Sequence, residues 1–476
     1  MRKRRFGLGL VLASVLSAVS VLSGCGGSGD GKGAAGSASP SAGTAASASP
    51  GTEKPKDVEL TFWTYPVLSL PGQKPGEYNN NLVEKFQKKY PNVKVKLEII
   101  PYDGGDQKVN VALASNTAPD ILNDYPGRTT NYAKRGYTVP LNDLLTQEQL
   151  AKLPKDLLKI VSLQDGTIFS YPQGIGATML LINKSLAEKA GAGDLLPKGD
   201  MRTWTFDEFE KFLQAVKAYQ AKQSPDLYPM LLFGLNEQGD MLYHSFMAGF
   251  GGKKYADDRS STVMNSKENV QAIEWVKSLV DKKLVYPNPE TRPASMSNDY
   301  FVQGKTVIAL GNTTTMDTVR KAKADGTIKE DFEMMLVPFP SVEKDKGVIV
   351  PGVGQFVVFN NKDKDKIEYA KKFVQFATTE DPEFILAMGS FDVYGRDVLG
   401  ATPDPEKVWL SKAVTDTKKI NGLDLSYDID GYSQTRAVFF PEMQAVFIGN
   451  KTPQKAMDDY VAKANKIIKD AAATKK

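Results

Sequence analysis

The side chains that most often carry nucleophilic or metal chemistry are scarce in this chain of 476 residues. It contains one cysteine, Cys25, and one histidine, His244. The sequence therefore predicts no disulfide, no zinc site of Cys and His ligands and no Cys–His nucleophile pair. His244 is expected to lie on a helix face rather than to act as a ligand. No cofactor and no bound metal are predicted.

Acidic side chains are the remaining candidates for catalysis. A glycosidase needs two carboxylates that flank the bond it breaks, and Asp124 with Glu237 is one example of such a pair. Nothing in the sequence places these two side chains together. A secreted hydrolase is therefore kept as an alternative function. A metal-binding protein is a third, which one histidine and scattered acids do not favour.

A polar loop at a strand end is the clearest candidate for a binding surface. The stretch Ala114–Arg128 reads ASNTAPDILNDYPGR and predicts a helix end, a turn, the short buried strand Ile121-Leu122 and then a loop. This loop carries Asp124 and Tyr125. In open α/β sheets, ligands bind outside the carboxyl ends of strands, which is where this loop is expected.

Strands and helices alternate before this loop. Val58–Tyr65 and Val93–Ile100 are predicted strands, and Asn79–Tyr90 is a predicted amphipathic helix between them. The order strand, helix, strand, helix, strand predicts a parallel sheet with right-handed crossovers. A chain of this length is expected to form more than one lobe.

Two glycine-containing segments are predicted to cross between lobes. In the first, Tyr171-Pro172 interrupts a short strand before the apolar strand Thr178–Ile182. In the second, Val348–Asn360 is predicted as a strand, a Gly-rich break and another strand. A further strand, Thr306–Leu310, is predicted to open into the loop Gly311–Thr315, which is rich in small hydrogen-bonding residues.

The first residues resemble an export signal. Arg2, Lys3, Arg4 and Arg5 precede an apolar run, Phe6–Leu22, and they account for the entire formal charge of +4. The remainder is neutral, which gives no indication of nucleic-acid binding. Val21–Cys25 resembles the lipobox of bacterial lipoproteins, in which the cysteine is lipidated. Gly26–Thr52 is predicted to be a flexible tether spanning roughly 30 Å.

The ordered set of motifs resembles the family 1 extracellular solute-binding proteins of bacterial ABC importers, which include the maltose-type binding proteins. The segments that carry the resemblance occur in the family's order over most of Val58–Ile468. They are APDILNDYPGR, the Tyr171–Ile182 segment, TWTFDEF, the helix ending in GFGG, FVQGKTVIALGN, PGVGQFVVFNNKDK and QAVFIGNKTPQKAMDDYV.

This resemblance implies a two-lobed α/β fold of the periplasmic-binding-protein type II, each lobe a sheet flanked by helices, with hinge crossings. We expect a signal peptide at 1–24 and a lipidated Cys25 with its tether at 25–57. Lobe 1 is expected at 58–171 and 353–428, and lobe 2 at 172–352 and 429–476. The protein would be a monomer, anchored by lipid to the outer face of the bacterial cell membrane.

The implied function is capture of a sugar or oligosaccharide in an interlobe cleft and its delivery to an ABC permease, without catalysis. Aromatic rings would stack on sugar faces, and charged or amide groups would bind hydroxyls. The threonine run Thr313–Thr315 departs from the maltose-type pattern, so maltose itself is not predicted. Positions matched to the family are Trp63, Tyr65, Asp124, Tyr125, Tyr243, Asn312, Thr313, Gly352, Gly354, Phe439 and Phe440; Arg396 and Arg436 are added on chemical grounds alone.

Overall fold

The computed structural model describes residues 55–473 except 69, 71–72, 75, 103, 154, 164, 329–331, 389–403, 417 and 425–428. Within these residues the strands are β1 (Val58–Thr64), β2 (Val93–Ile99), β3 (Ile121–Asp124), β4 (Tyr171–Asn183), β5 (Tyr228–Met230), β6 (Thr306–Gly311), β7 (Met334–Val337), β8 (Gly347–Val358) and β9 (Ile420–Gly422).

Helices flank and connect these strands. They are α1 (Glu77–Lys89), α2 (Gly105–Ala114), α3 (Arg128–Lys134), α4 (Gln147–Lys152), α5 (Lys155–Val161), α6 (Lys184–Lys189), α7 (Phe206–Gln223), α8 (Asp240–Gly249), α9 (Lys267–Asp281), α10 (Ser295–Val302), α11 (Thr313–Ala324), α12 (Lys364–Gln375), α13 (Phe384–Ala387), α14 (Pro405–Thr415), α15 (Tyr432–Ala437), α16 (Phe439–Phe447) and α17 (Pro453–Ala473). None of the helices in the described part combines the length and the apolar character needed to cross a bilayer.

The predicted parallel arrangement of the first three strands is confirmed. β1 pairs in parallel with β2 on one side and with β3 on the other. The strand order continues from β3 to β8, β4, β6 and β5, with β7 on β4 and β9 on β8. The carboxyl ends of β1, β2 and β3 therefore meet at one edge of the sheet.

β4 and β8 are long antiparallel partners that join the two ends of this strand order. The first part of β4 pairs with β8, and its last residues pair with β6 and β7. The predicted interruption at Tyr171-Pro172 is wrong, because a register shift between Pro172 and Gly174 absorbs the irregularity without ending the strand. The predicted break in β8 is also wrong, because Gly352 and Gly354 pair with Gly176 and Gly174.

The loop predicted after β6 is replaced by a helix. Asn312 caps α11: its Oδ1 accepts from the Thr315 backbone N–H at 3.0 Å, and the Thr315 hydroxyl accepts from the Asn312 backbone N–H. This reciprocal pair satisfies amide groups that a helix start leaves open, so the threonine run begins a helix.

Separate apolar clusters cover the two ends of the strand order. One packs Phe62 against Phe356 and Phe373, with ring centroids 5.9 and 5.0 Å away. Another contains Trp204 and Phe209, whose centroids lie 4.8 Å apart. A third cluster places Trp409 and Leu410 of α14 with Met179 and Leu336. The lobe boundaries given above remain a prediction.

Candidate functional site

Aromatic side chains follow the carboxyl ends of β1 and β2. Tyr65 comes directly after β1 and Tyr102 three residues after β2, and their rings stack with centroids 5.5 Å apart at 16°. Tyr65 is buried, but Tyr102 is 39% exposed. Trp63 is half-buried, and the Lys108 Nζ lies 4.6 Å from its ring centroid. This edge therefore presents accessible aromatic surface beside buried rings.

Arg128 forms ion pairs with two carboxylates near the ends of these strands. The turn Pro126-Gly127, with Gly127 at φ 95°, ends the loop and starts α3 at Arg128. The Arg128 Nε lies 3.0 Å from both Asp124 carboxylate oxygens and from Asp106 Oδ1, and its guanidinium carbon lies 4.9 Å from the Tyr65 ring centroid. Sequence analysis placed Asp124 here but gave Arg128 no role.

Burial governs the charge state of this pair. Burial raises the pKa of Asp124, and the Arg128 guanidinium opposes that rise. Burial also disfavours the charged form of Arg128, but Asp124 and Asp106 outweigh it and raise the Arg128 pKa above its ordinary value. Arg128 therefore stays charged, with two carboxylates fixing its plane. Such a held guanidinium can donate directionally to hydroxyl or carbonyl oxygens.

A second buried ion pair joins α8 and α15. Arg436 Nε donates to Asp240 Oδ2 at 2.6 Å, and Nη2 donates to Asp240 Oδ1 at 3.0 Å and to the Glu237 carbonyl at 2.8 Å. Burial of Asp240 raises its pKa, but the Arg436 guanidinium has the larger combined effect, and the Asp240 pKa is lowered to about 2. Arg436, added to the site on chemical grounds, thus donates through Nε and Nη2 to protein groups.

Tyr432 brings the two ion pairs into one electrostatic environment. α3 packs against α15, and Lys134 pairs with Asp430 at 3.4 Å. Burial raises the pKa of Tyr432; Arg436 and Arg128 lower it, whereas Asp240 and Asp106 raise it. The Arg128 and Arg436 regions, far apart in sequence, therefore face each other around this phenol.

Buried amides lie beneath the Asp124 end of the site. Asp124 is paired with Gln355 in the β3–β8 ladder, and Thr129 donates its hydroxyl proton to Gln355 Oε1 at 2.6 Å. Gln355 Nε2, Asn123 Nδ2 and both polar atoms of the Gln173 side chain have no hydrogen-bond partner among the described residues. Unsatisfied buried amides are uncommon, and they mark places where water or ligand atoms complete the bonding.

The structure brings together four predicted residues: Trp63, Tyr65, Asp124 and Tyr125. Gly352 and Gly354 lie at the centre of β8. A Cβ on Gly354 would lie 2.3 Å from Met388 Cε and 2.6 Å from Gln173 Oε1, so a side chain there would require both of these neighbouring side chains to move.

Other predicted residues lie elsewhere. Asn312 is used as a helix cap, and Thr313 is buried at the start of α11. Tyr243, Phe439 and Phe440 are at most 2% exposed and pack in one apolar cluster, with the Tyr243 hydroxyl donating to the Phe233 carbonyl at 2.9 Å. In this structure these three rings have no face open to a ligand. Arg396 and Cys25 lie outside the described residues.

Sequence analysis missed Tyr102, Arg128, Lys254 and Tyr432. Tyr102 carried a usable signal, because it follows a strand end just as Tyr65 and Tyr125 do. Lys254 and Tyr432 carried none, since their placement depends on the packing of α8 and α15. His244, predicted on a helix face, lies on α8 but is 5% exposed. No group of three or more acidic, His or Cys side chains suited to a metal occurs in the described residues.

Comparison with known proteins agrees with this arrangement. The family described as bacterial extracellular solute-binding protein matches residues 72–383. An arabinooligosaccharide-binding protein of Bacillus subtilis is 26% identical over 433 residues, covering 87% of this chain and 93% of that protein. The diacetylchitobiose binding protein DasA of Streptomyces coelicolor is 25% identical over 345 residues, covering 71% and 74%.

A solved structure is similar in fold. An ABC substrate-binding protein from Listeria monocytogenes, in complex with cycloalternan, superimposes with a TM-score of 0.70 at 19% identity and covers 86% of this chain and 99% of that one. This likeness confirms the predicted two-lobed α/β fold. Since the family match covers well over half of the sequence, the chain belongs to the bacterial extracellular solute-binding protein family.

Proposed function

We propose that this protein is the substrate-binding component of an ABC importer and that its ligand is an oligosaccharide. The observation that carries the proposal is the strand-end edge, where the partly exposed Tyr102 and the half-buried Trp63 lie at the same strand ends as the Arg128 guanidinium, which Asp124 and Asp106 hold. A sugar ring offers an apolar face and a rim of hydroxyls, which aromatic faces and charged donors complement. The names of the two relatives support a carbohydrate ligand.

The proposed mechanism is closure on the ligand. Contacts from the Arg128 side and the Arg436 side would favour a closed form over an open one. β4 and β8 join both ends of the strand order, so a change in their bending would bring the two sides together. Small-angle scattering checks this: we expect a smaller radius of gyration with ligand, and identical dimensions at saturation would contradict closure.

Catalysis is not part of the proposal. Asp124, the carboxylate considered for hydrolysis, is held by Arg128 through both of its oxygens. A carboxylate in such a pair is poorly placed to act as a base or nucleophile, because the guanidinium occupies both of its oxygens. The ligand is therefore expected to leave the protein unchanged.

The proposal includes lipidation of Cys25, which would determine where the protein is located. A lipid on this residue would hold the protein at the outer face of the cell membrane, where it would meet its permease. Fractionation of cells that express the full chain tests this. Wild type is expected with membranes and Cys25→Ala in the soluble fraction; equal partitioning of the two would contradict the anchor.

The binding proposal is tested by titrating the full chain with arabino-, chito- and malto-oligosaccharides while tryptophan fluorescence is recorded. We expect saturable quenching by one series, with the sugar recovered intact. Trp63→Phe should reduce the signal, whereas Trp275→Phe should preserve it because Trp275 packs against the Phe206 ring at 4.7 Å. Release of new reducing ends would instead establish a hydrolase, and no response to any sugar would refute the carbohydrate ligand.

A further inference from the structure

A cavity of about 310 Å³ adjoins the Tyr432 side of the site. It lies between α8, the segment 252–259, the start of α9 and the residues after β9. Its volume is at the lower end of the range for small-molecule sites, which suits one sugar ring or a substituent rather than a long chain. The Lys254 Nζ lies 5.5 Å from the Tyr255 ring centroid and 5.7 Å from that of Tyr432, and so connects this cavity to the site described above.

In the part of the chain that the structure describes, two buried residues in the lining have polar atoms without a hydrogen-bond partner. His244 is 5% exposed, and its Nε2 has no hydrogen-bond partner. Asn269 is 1% exposed; its Nδ2 donates to the carbonyls of Lys253 at 2.7 Å and Val263 at 3.3 Å, but its Oδ1 accepts nothing. Burial lowers the pKa of His244 well below its ordinary value, so the imidazole is neutral. Both atoms have almost no accessible surface, so they belong to the packed polar wall of the cavity and are not open to a ligand.

Among the described residues, the charges around the cavity leave one cation in excess. Lys253 pairs with Asp257 at 2.7 Å, and Arg259 pairs with Asp424 at 2.7 Å. Asp240, the other carboxylate near Lys254, is already held by Arg436. Lys254 makes no ion pair with another described residue. A half-buried ammonium without a carboxylate partner favours an incoming anion.

We propose that this cavity binds the anionic group of a hydroxylated ligand, a sugar acid or a sugar phosphate, with Lys254 as the cation that contacts it. The inference rests on the proposed function and names a class of substrate for the same protein. A neutral sugar would leave Lys254 uncompensated.

The proton on Lys254 gives the site a pH dependence. Burial lowers the pKa of Lys254 to about 8; Arg436 lowers it further, whereas Asp240 and Asp424 raise it. The other titratable groups facing Lys254 are the neutral His244 and the phenols of Tyr255 and Tyr432, whose pKa values burial raises. Affinity for an anion is therefore expected to be full well below pH 8 and to fall as the pH rises through about 8.

Isothermal titration calorimetry on the full chain in detergent tests the proposal. The probes are trigalacturonate, its neutral methyl ester, glucose 6-phosphate, inorganic phosphate and neutral oligosaccharides. We expect trigalacturonate or the sugar phosphate to bind about 10- to 100-fold more tightly than the neutral ester at pH 6.5, because a charge-assisted hydrogen bond is gained. Tighter binding of trigalacturonate would indicate a carboxylate ligand, and tighter binding of glucose 6-phosphate would indicate a phosphate ligand. The preference should shrink at pH 9.5.

Variants distinguish binding of an anion at Lys254 from a general effect of removing a positive charge. Lys254→Met should abolish the preference for the anionic probe and Lys254→Arg should retain it, whereas the exposed control Lys198→Met should change nothing. Equal affinity for the acid and its ester, or equal effects of Lys254→Met and Lys198→Met, would overturn the anionic site and leave the proposed function standing. If no sugar of either kind binds, the proposed function fails. Inorganic phosphate then decides the anionic site: binding that is lost in Lys254→Met supports it, and no binding overturns it.

Discussion

Replacing Arg436 by methionine is expected to destabilise the protein by leaving a buried carboxylate unpaired. Asp240 is 2% exposed and receives two hydrogen bonds from Arg436, at 2.6 and 3.0 Å. Methionine has similar length but no donor, so the carboxylate must either remain charged in a poorly solvated place or take up a proton. Both alternatives cost free energy of folding.

Two routes give the size of the effect. The Asp240 pKa of about 2, against an ordinary value of ~3.9 in an unfolded chain, corresponds to about 2–3 kcal/mol of stability at neutral pH. Removing one partner of a buried pair costs about 3–5 kcal/mol in other proteins. We therefore expect a loss of about 3 kcal/mol. For a cooperative unit of about 420 residues this lowers the Tm by roughly 3 °C.

The assay is thermal unfolding of wild type, Arg436→Met and the double variant Arg436→Met/Asp240→Leu. The double variant should recover most of the loss, because no unpaired charge remains. Arg320→Met is a matched control: this arginine is 42% exposed where it pairs with Asp317 and Asp404, and Lys407 still pairs with Asp317 when Arg320 is replaced. Its loss should therefore cost under ~1 kcal/mol.

The pH dependence provides a second check on the same variants. Since the Asp240 pKa is depressed, the contribution of the pair is complete above pH ~4 and is lost as pH falls through about 2. The gap in Tm between wild type and Arg436→Met should therefore be widest at neutral pH and narrow below pH ~4. An equal loss in the single and double variants, or a gap that does not change with pH, would refute the reasoning.

Three further predictions follow from burial and exposure. Phe439→Ala should cost about 3–5 kcal/mol of stability, because the ring is 1% exposed and packs 5.3 Å from Tyr460; reduced ligand affinity at an unchanged Tm would contradict this. Tyr102→Ala should weaken oligosaccharide binding about 2- to 10-fold by calorimetry, whereas Tyr369→Ala, on α12, should not; equal effects would contradict a stacking role. Without ligand, Lys254→Met should raise stability at pH 7 by roughly 1–3 kcal/mol. The gain should fade towards pH ~10.5, where the unfolded chain also loses this proton, and a gain that persists there would count against the lowered pKa of about 8.

Local signals in the sequence were enough for the strands, the helices and part of the site. The alternating pattern predicted the parallel β1, β2 and β3. The strand-end rule predicted a binding loop with Asp124 and Tyr125, whereas Trp63 and Tyr65 were predicted from the family resemblance. The prediction of a loop at Gly311–Thr315 failed, because the same small polar residues can also form the capping box that starts a helix. Strand breaks were wrongly predicted in β4 and β8 because glycines and a proline can remain in a ladder when the partner strand accommodates them.

By itself, the sequence determined the alternation of strands and helices, the neutral charge beyond the first residues and the scarcity of Cys and His. These properties depend on composition and on neighbours along the chain. Only the tertiary structure decided that Phe439 and Phe440 are buried, that Arg436 is held by Asp240, 196 residues away, and that Lys254 forms no ion pair with another described residue. The physical reason is that burial and charge compensation depend on groups that packing brings together. These groups are far apart along the chain, so no periodic pattern in the sequence indicates that they meet.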